Sequence, residues 1–547
     1  MKQTRAQLES ASSASEHSVR PPVVQLSARA RAVVWAAIIA ADLGGLWFFE
    51  SHGLSNIYGD GLVHVEGARR IFDSLSPGLA QIGSVWLPLF HLLAAPLALN
   101  GTLWRTGLAG SLVSAAAFAL SAWLLFRLSV EMNRALAAGV VTLVCFLLSL
   151  NLLYAAAAPL TEPLAIFWTV LVIFVLFRFE QSGKTATVAW AGVAAFFGTL
   201  TRYDGWYLLP FAALFVLLCR RRGWIERAGQ ALLLCLIAAF GPLLWLLHNA
   251  RRYHNALQFY DGPYSARAIY AHQLATTAFR YPTDGSLWLS VHYYAADLKL
   301  VFGAWPLELA ALGFLAWMLT GRLRGRRAAA LLFLVPLLFY THSLAYGSVP
   351  LYVPALFPHT YYNLRYGLEM APAVALFPGF LMAPGLGQRR RHVVLGVICG
   401  LLVFQAVLMG WHGARRLPLV REGLLNTPCK TPAALMVTHF FRQRYDGQPI
   451  LLSSGEWPCL MPALGIPYRK TISNANRTYW RQLRFGAARF AGWIIRKRGD
   501  SVDGLMRAFP KAFERFQLVS EKTLPHGESV LIYQRRAAEP QANTLSF

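Results

Sequence analysis

The chain is 547 residues long, 56% apolar and only 14% charged, against roughly 45–50% and 25% in soluble globular domains. Apolar runs of membrane-span length recur along it, which excludes a soluble enzyme, a disordered scaffold and a single-span receptor. A formal charge of +25 would suggest nucleic acid in a soluble protein, but here the basic residues sit at the ends of apolar runs, where they read as topology signals and phosphate contacts.

Residues 1–31 form a polar, Ser-rich tail carrying Lys2, Arg5, Arg20, Arg29 and Arg31 ahead of the apolar run 32–49. No small-residue cleavage site follows, so the pair reads as an uncleaved signal anchor. Further spans are expected near 108–126, 135–153, 163–177, 186–200, 206–219, 229–247, 303–320, 328–345, 367–385 and 393–410, eleven in all, placing the termini on opposite sides. Segment 84–99 is short and interrupted by prolines, and reads as an interfacial or re-entrant helix. Alternate loops carry Arg127 and Arg134; Arg178 and Lys184; Arg220, Arg221, Arg222 and Arg227; Arg322, Arg324, Arg326 and Arg327; and Arg389, Arg390 and Arg391. The positive-inside rule puts these loops and the N-terminus in the cytoplasm. The expected domains are thus a cytoplasmic tail (1–31), a multi-span core (32–410) with outside loops 50–107, 248–302 and 346–366, and an outside domain (411–547).

That last part reads as α/β: a helix near 431–445, strands at Pro449–Ser453 and Gly492–Arg496, a helix near 501–516, and strand-like Phe516–Ser520 and Ser529–Gln534. Cys145, Cys219, Cys235 and Cys399 fall inside spans as small apolar fillers. Cys429 and Cys459 both lie in the outside part, and can pair if that compartment is oxidising.

The sharpest cluster of reactive residues runs from Tyr58 to Asp73 in the first outside loop. At 100° per residue, Leu62, Val65, Ala68, Phe72 and Leu75 share one side of a helix, and Glu66, Arg69, Arg70 and Asp73 an arc on the other. Such a helix lies on the membrane surface, its four charges paired i,i+4. Asp60 and His64 point toward the apolar side, where Asp60 has no evident cation. Asp60 either N-caps the helix or serves as a general base made more basic by desolvation. His64 could orient it, bind a phosphate or help hold a metal, or simply pack in the core.

Two more acids come to the same side. Glu162 sits in the turn Ala158-Pro-Leu-Thr-Glu-Pro163 and Asp204 in the turn Thr201-Arg202-Tyr-Asp204. An ionisable group beside a span is a functional candidate because burying it is costly. The alternatives are a solvated turn for Glu162 and an Arg202 pair or turn cap for Asp204. Arg365 and Tyr366 follow Tyr361, Tyr362 and Asn363 just before an apolar span. The arginine suits bidentate phosphate binding and the aromatics a sugar or lipid chain, or the group is an interfacial aromatic belt. Loop 248–302 adds His254, Tyr260, Tyr264, Arg267 and Tyr270.

The order of spans, a long first outside loop opening on an aspartate, an acidic outside turn after the third span, an Arg-Tyr before a late span and an outside tail resembles the C-type glycosyltransferase superfamily. Within it the chain is similar to the group of protein O-mannosyltransferases and aminoarabinose transferases; Ala68–Ser74, Val85-Trp-Leu-Pro88 and Gly262–Arg267 carry the likeness. The resemblance implies a polytopic α-helical membrane protein with an extracytoplasmic α/β domain, set in a bacterial inner membrane. It also implies transfer of a sugar from a polyprenyl-phosphate donor to a hydroxyl or amine of a glycan, lipid or protein, with inversion. It places the catalytic aspartate on Asp60, a second acid on Glu162 and a phosphate-contacting arginine on Arg365; Tyr366, His64, Arg202 and Asp204 are further substrate-binding candidates from their own positions in the sequence. Many members have Asp-Glu at the first position where this chain has Asp60-Gly61, which leaves a divalent metal ion as a possible cofactor only. No Walker loop or dinucleotide fingerprint is present, in keeping with a lipid-linked donor. A transporter or flippase of lipid-linked sugars is the alternative; it predicts midspan charges, of which Asp42 is one, and paired broken helices.

Overall fold

The computed structural model describes residues 26–219, 223–319, 325–382, 387–523, 527 and 529–536. Lys2, Arg5, Arg20, Arg220, Arg221, Arg222, Arg322 and Arg324 lie outside the described residues. The molecule is a polytopic helical membrane protein with a small C-terminal sheet. Among the described residues six helices are long and apolar enough to cross a bilayer: Ala28–Ser51, Leu108–Asn133, Glu162–Ser182, Trp224–Tyr253, Ala328–Tyr346 and Gln388–Gly410. Two bent pairs bring the number to as many as eight: Leu136–Leu147 with Leu150–Ala157, bent 63°, and Leu287–Phe302 with Ala304–Leu319, bent 113°.

Ten of the eleven expected spans fall on these helices or on two shorter apolar ones, Thr185–Thr199 and Asp204–Leu218. The exception is 367–385, which breaks into a 3-10 turn Leu364–Met370, a helix Ala371–Leu376 and a second 3-10 turn Phe377–Leu381. Pro372 and Pro378 remove backbone donors there. From Gly367 to Phe380 every residue is nonetheless buried, so neighbouring protein rather than lipid surrounds this irregular backbone. Leu89–Ala98 is the expected short helix, with Pro96 inside it.

Leu108–Asn133 and Glu162–Ser182 pack against each other at the centre. At one end of this pair Glu131 accepts from Arg127 (3.0 Å) and Arg178 (2.6 Å), two arginines expected on the same side. Glu162 marks the other end.

The C-terminal sheet has the order β2-β1-β3-β5-β4, with β1 Ile450–Leu451, β2 Thr471–Ile472, β3 Trp493–Lys497, β4 Phe516–Thr523 and β5 Ser529–Arg535. β1 pairs in parallel with β2 and β3, while β5 runs antiparallel to β3 and β4. The expected helices appear as Pro432–Arg444 and a shorter Ser501–Ala508. β2 was not expected, since two residues carry no alternation to read. Cys429 and Cys459 form a disulfide with Cα atoms 5.4 Å apart, a normal span for the bond.

Candidate active site

The helix Gly59–Arg70 forms as expected but lies differently. Its apolar side packs on Leu89–Ala98. Its polar arc is not solvated: Glu66, Arg70 and Asp73 are buried. Arg70 donates to Glu66 (3.1 Å), to Gln81 (2.7 Å) and to Ser454 of the C-terminal part (3.0 Å). Asp73 accepts from Arg69 (2.9 Å) and from the backbone N–H groups of Tyr468 and Arg469 (both 3.3 Å). The i,i+4 pairs therefore dock the tail onto the helix, and burial holds the Glu66 carboxyl above its ordinary range. Periodicity alone shows that an arc is polar, not what covers it.

Asp60 occupies the first turn of this helix, and Tyr58, not Asp60, stands at its cap position with no side-chain capping bond. The expectation that Asp60 lacks a cation is corrected: it forms an ion pair with Nη2 of Arg365. Nor is Asp60 in a dry place, its side chain being 36% exposed against 9% for Arg365. Arg365 stands on the turn Leu364–Met370, so two segments some 300 residues apart in the chain meet in one ion pair.

Behind Asp60 the charges alternate. Arg365 Nη1 lies 3.4 Å from Glu162 Oε1, and the same oxygen accepts from Arg202 Nη1 at 2.7 Å. Arg202 also lies 3.5 Å from Asp204 and from Glu369. Its Nη1 donates to Thr161 (3.0 Å) and its Nη2 to Tyr340 (3.0 Å), whose hydroxyl donates onward to Asp204 (3.0 Å). Glu162 is fully buried, which corrects the solvated-turn alternative. The turn before it is held by Ser114, whose hydroxyl donates to Leu160 O at 2.7 Å. Two fixed guanidiniums offset the desolvation of the buried carboxylates, as burial of charge requires. Tyr366 sits between them, its ring 5.6 Å from the Arg365 guanidinium and 5.9 Å from that of Arg202, and stacks on Tyr340 at 5.0 Å.

The structure thus gathers Asp60, Glu162, Arg202, Asp204, Arg365 and Tyr366 into one cluster. His64 does not join it. Its Nδ1 lies 3.1 Å from Nε2 of His91, and its ring packs on Trp86 and Phe90. Burial, reinforced by His91, keeps it neutral by lowering its pKa.

Three participants were missed. Glu369 lies one turn beyond Arg365, inside an expected span, where the rule that singled out Asp42 would have found it. Tyr340 sits in an apolar helix with nothing local to mark it. Glu422 follows the last span, and accepts from the Tyr58 hydroxyl and from the backbone N–H groups of Asn363 (2.6 Å) and Leu364 (3.0 Å).

A divalent metal does not fit these residues. Among the described residues no three His, Cys, Asp or Glu side chains form a metal-holding group. Arg365 stands between Asp60 and Glu162, and Arg202 between Glu162 and Asp204, so fixed cations already fill the gaps between carboxylates.

A groove of about 370 Å³ is lined by Leu79, Leu244, Leu247, His248, Arg251 and Arg252. Tyr203, next to Arg202, donates to Val85 O (2.5 Å), and His248 reaches Gly83 O (3.4 Å). The segment 83–85 therefore joins groove and cluster.

No protein-family model matches the chain, and no curated protein matches it by sequence. Among solved structures it is similar to ArnT from Cupriavidus metallidurans bound to undecaprenyl phosphate, with TM-score 0.54 and 13% identity, covering 92% of this chain and 98% of that one. The apo form of the same protein matches at TM-score 0.51 and 11% identity with the same coverage. The chain therefore has the fold seen in ArnT.

Proposed function

We propose that the protein is a membrane glycosyltransferase that moves a sugar from a polyprenyl-phosphate carrier to a hydroxyl or amine at the outer face of a bacterial inner membrane, with inversion. One observation carries this reading: Asp60 is an accessible carboxylate whose orientation is fixed by a buried arginine, at the mouth of a closed charge network. Asp60 accepts the acceptor's proton as the acceptor's lone pair attacks the anomeric carbon. The bond from that carbon to the phosphate oxygen breaks, and the electron pair leaves with the polyprenyl phosphate. Arg365 holds Asp60 in register through their ion pair, and shares its charge with the departing phosphate. The groove supports a lipid donor, since Leu244 and Leu247 offer an apolar wall for a prenyl chain, and Arg251 and Arg252 offer cations for a phosphate at the water boundary. A solved structure of the same fold holds undecaprenyl phosphate. The basic loops and their meeting at Glu131 support a cytoplasmic N-terminus with the C-terminal part outside.

The test compares the masses of envelope glycolipids and glycoproteins from cells with wild-type protein, no protein, and Asp60→Asn at matched expression. Loss of one sugar-sized increment in both deficient strains, at least a hundredfold for Asp60→Asn, is expected. An Asp60→Asn strain that keeps the increment rules out Asp60 as the base. The two bent helix pairs favour the second reading, transport of a lipid-linked sugar. In that case Asp60→Asn leaves the donor trapped on the cytoplasmic face rather than accumulating outside.

A further inference from the structure

The cluster has a clamp that lies outside it. Glu422 belongs to the helix Pro418–Asn426, which follows the last span helix Gln388–Gly410. It is 3% exposed, and its carboxylate accepts three hydrogen bonds. One comes from the Tyr58 hydroxyl, two residues before Asp60; the others come from the N–H groups of Asn363 and Leu364, directly before Arg365. A helix start leaves N–H groups unsatisfied, and a carboxylate placed there satisfies them and complements the helix dipole. Glu422 does this from 58 positions away for the turn Leu364–Met370 that carries Arg365 and Glu369. Asn363 is held at φ 60°, a conformation its short polar side chain tolerates, and its side-chain amide donates to Pro350 O at 2.8 Å. The strand-like approach to Arg365 is thus fixed on both sides.

We propose that Glu422 is a positioning residue for the Asp60–Arg365 pair, through which the extracytoplasmic tail sets the geometry of the membrane site; this rests on the glycosyltransferase reading above. The acid touches neither Asp60 nor any substrate position. It ties the backbone that precedes Asp60 to the backbone that precedes Arg365, so the two partners keep one separation. A misplacement of about 1 Å at a reacting group costs on the order of a hundredfold in rate, so such a tie matters to turnover more than to folding.

The test uses the full-length protein in lipid nanodiscs and, in parallel, cells carrying each variant at matched expression. In Glu422→Gln the amide that keeps its oxygen toward Tyr58 and Asn363 turns its NH2 toward the Leu364 N–H, so one bond is lost and a repulsive pair is made. Amide exchange at Asn363 and Leu364 is expected to quicken roughly tenfold, exchange in β3 to stay as in the wild type, and the envelope sugar increment to drop at least tenfold. Tyr58→Phe removes one bond without altering the acid, and is expected to lower the increment less while leaving exchange at Leu364 unchanged. Unchanged exchange at 363–364 in Glu422→Gln overturns the clamp. Faster exchange with a full increment overturns its effect on the site. A wild-type strain that shows no increment over the deletion strain overturns the transferase reading itself, a result separable from the other two.

Discussion

Arg365 illustrates how the site resolves a problem of charge. Four carboxylates, the partly exposed Asp60 and the more deeply set Glu162, Asp204 and Glu369, gather around two guanidiniums. A lysine at 365 would supply the charge but not a planar fork that reaches Asp60 with one nitrogen and Glu162 with the other. Glu422 has no such partner at full strength. Burial pushes its carboxyl up to about 7, against the opposing pull of the Tyr58 hydroxyl, Arg365 and the two backbone N–H groups. Tyr58, Tyr154, Asp297, Tyr362 and Arg365 are the titratable or charged groups that face it. Because the folded state raises this pKa above the ordinary carboxylate value, the group adds stability below that ordinary value and loses it as pH rises through about 7. Only the anion accepts all three bonds, however. Acid therefore slackens the clamp without weakening the fold: transfer by the purified protein should fall as pH drops through about 7, while protonation of this group raises the melting temperature slightly over the same range. Rate and melting profiles in the same buffers check this, and a rate flat from pH 8 to 6 would count against it.

Among the elements, Gly59–Arg70 is the one whose placement decides the site. At Gly61 the structure leaves little room for any side chain. A Cβ at Gly61 would lie 2.9 Å from Pro159 Cγ and 3.2 Å from its carbonyl oxygen, and one at Gly110 would lie 2.5 Å from Pro159 Cβ. Pro159, three residues before Glu162, is thus pinched between two glycines, and that close approach brings the Asp60 helix to the Glu162 turn. Gly61→Val should push the helix away from the turn, lowering transfer at least tenfold with a thermal shift of a few degrees; normal transfer at normal expression would mean the approach is not needed. Much of this was legible in the sequence. Asp60, Glu162, Arg202, Asp204 and Arg365 each lie at the start of a helix or turn beside an apolar run, and charge at such a place stands out. The breakdown of 367–385 was not legible, because apolar composition measures burial and cannot tell a helix sheltered by lipid from broken turns sheltered by protein. Nor could local pattern reveal Glu422, whose three partners are all distant in sequence. The C-terminal strands β1, β3, β4 and β5 fall on the stretches read as strands, whereas β2, two residues long, takes its form from tertiary pairing.

At the scale of the whole molecule, membrane bundle and C-terminal part share one set of contacts around the first outside helix. Arg70 reaches Ser454, Asp73 the turn at Tyr468, and Asn476 both Ser74 (3.0 Å) and Ser76 (2.9 Å). Pro428, next to Cys429, packs on the start of the same helix, where a Cβ at Gly59 would meet it at 3.4 Å. The Cys429–Cys459 disulfide spans a separation of 30 residues, for which chain-entropy reasoning gives about 3.5 kcal/mol. Replacing both cysteines with serine should lower the melting temperature of the C-terminal part by several degrees and reduce transfer less than Glu422→Gln does. Scanning fluorimetry of the purified pair checks this, and an unchanged melting profile would show the bond to be dispensable.

The contact between Tyr58 and Glu422 joins positions 364 residues apart, and it has a meaning in time as well as in space. At ribosomal speeds of roughly 5–20 residues per second, about 20–70 seconds separate the synthesis of the two. Throughout that interval the Asp60 helix exists with Arg365 unmade or untethered. On the transferase reading proposed above, a prematurely terminated chain therefore carries only the first half of the centre, and transfer begins only once synthesis has passed Glu422 and the tie has closed.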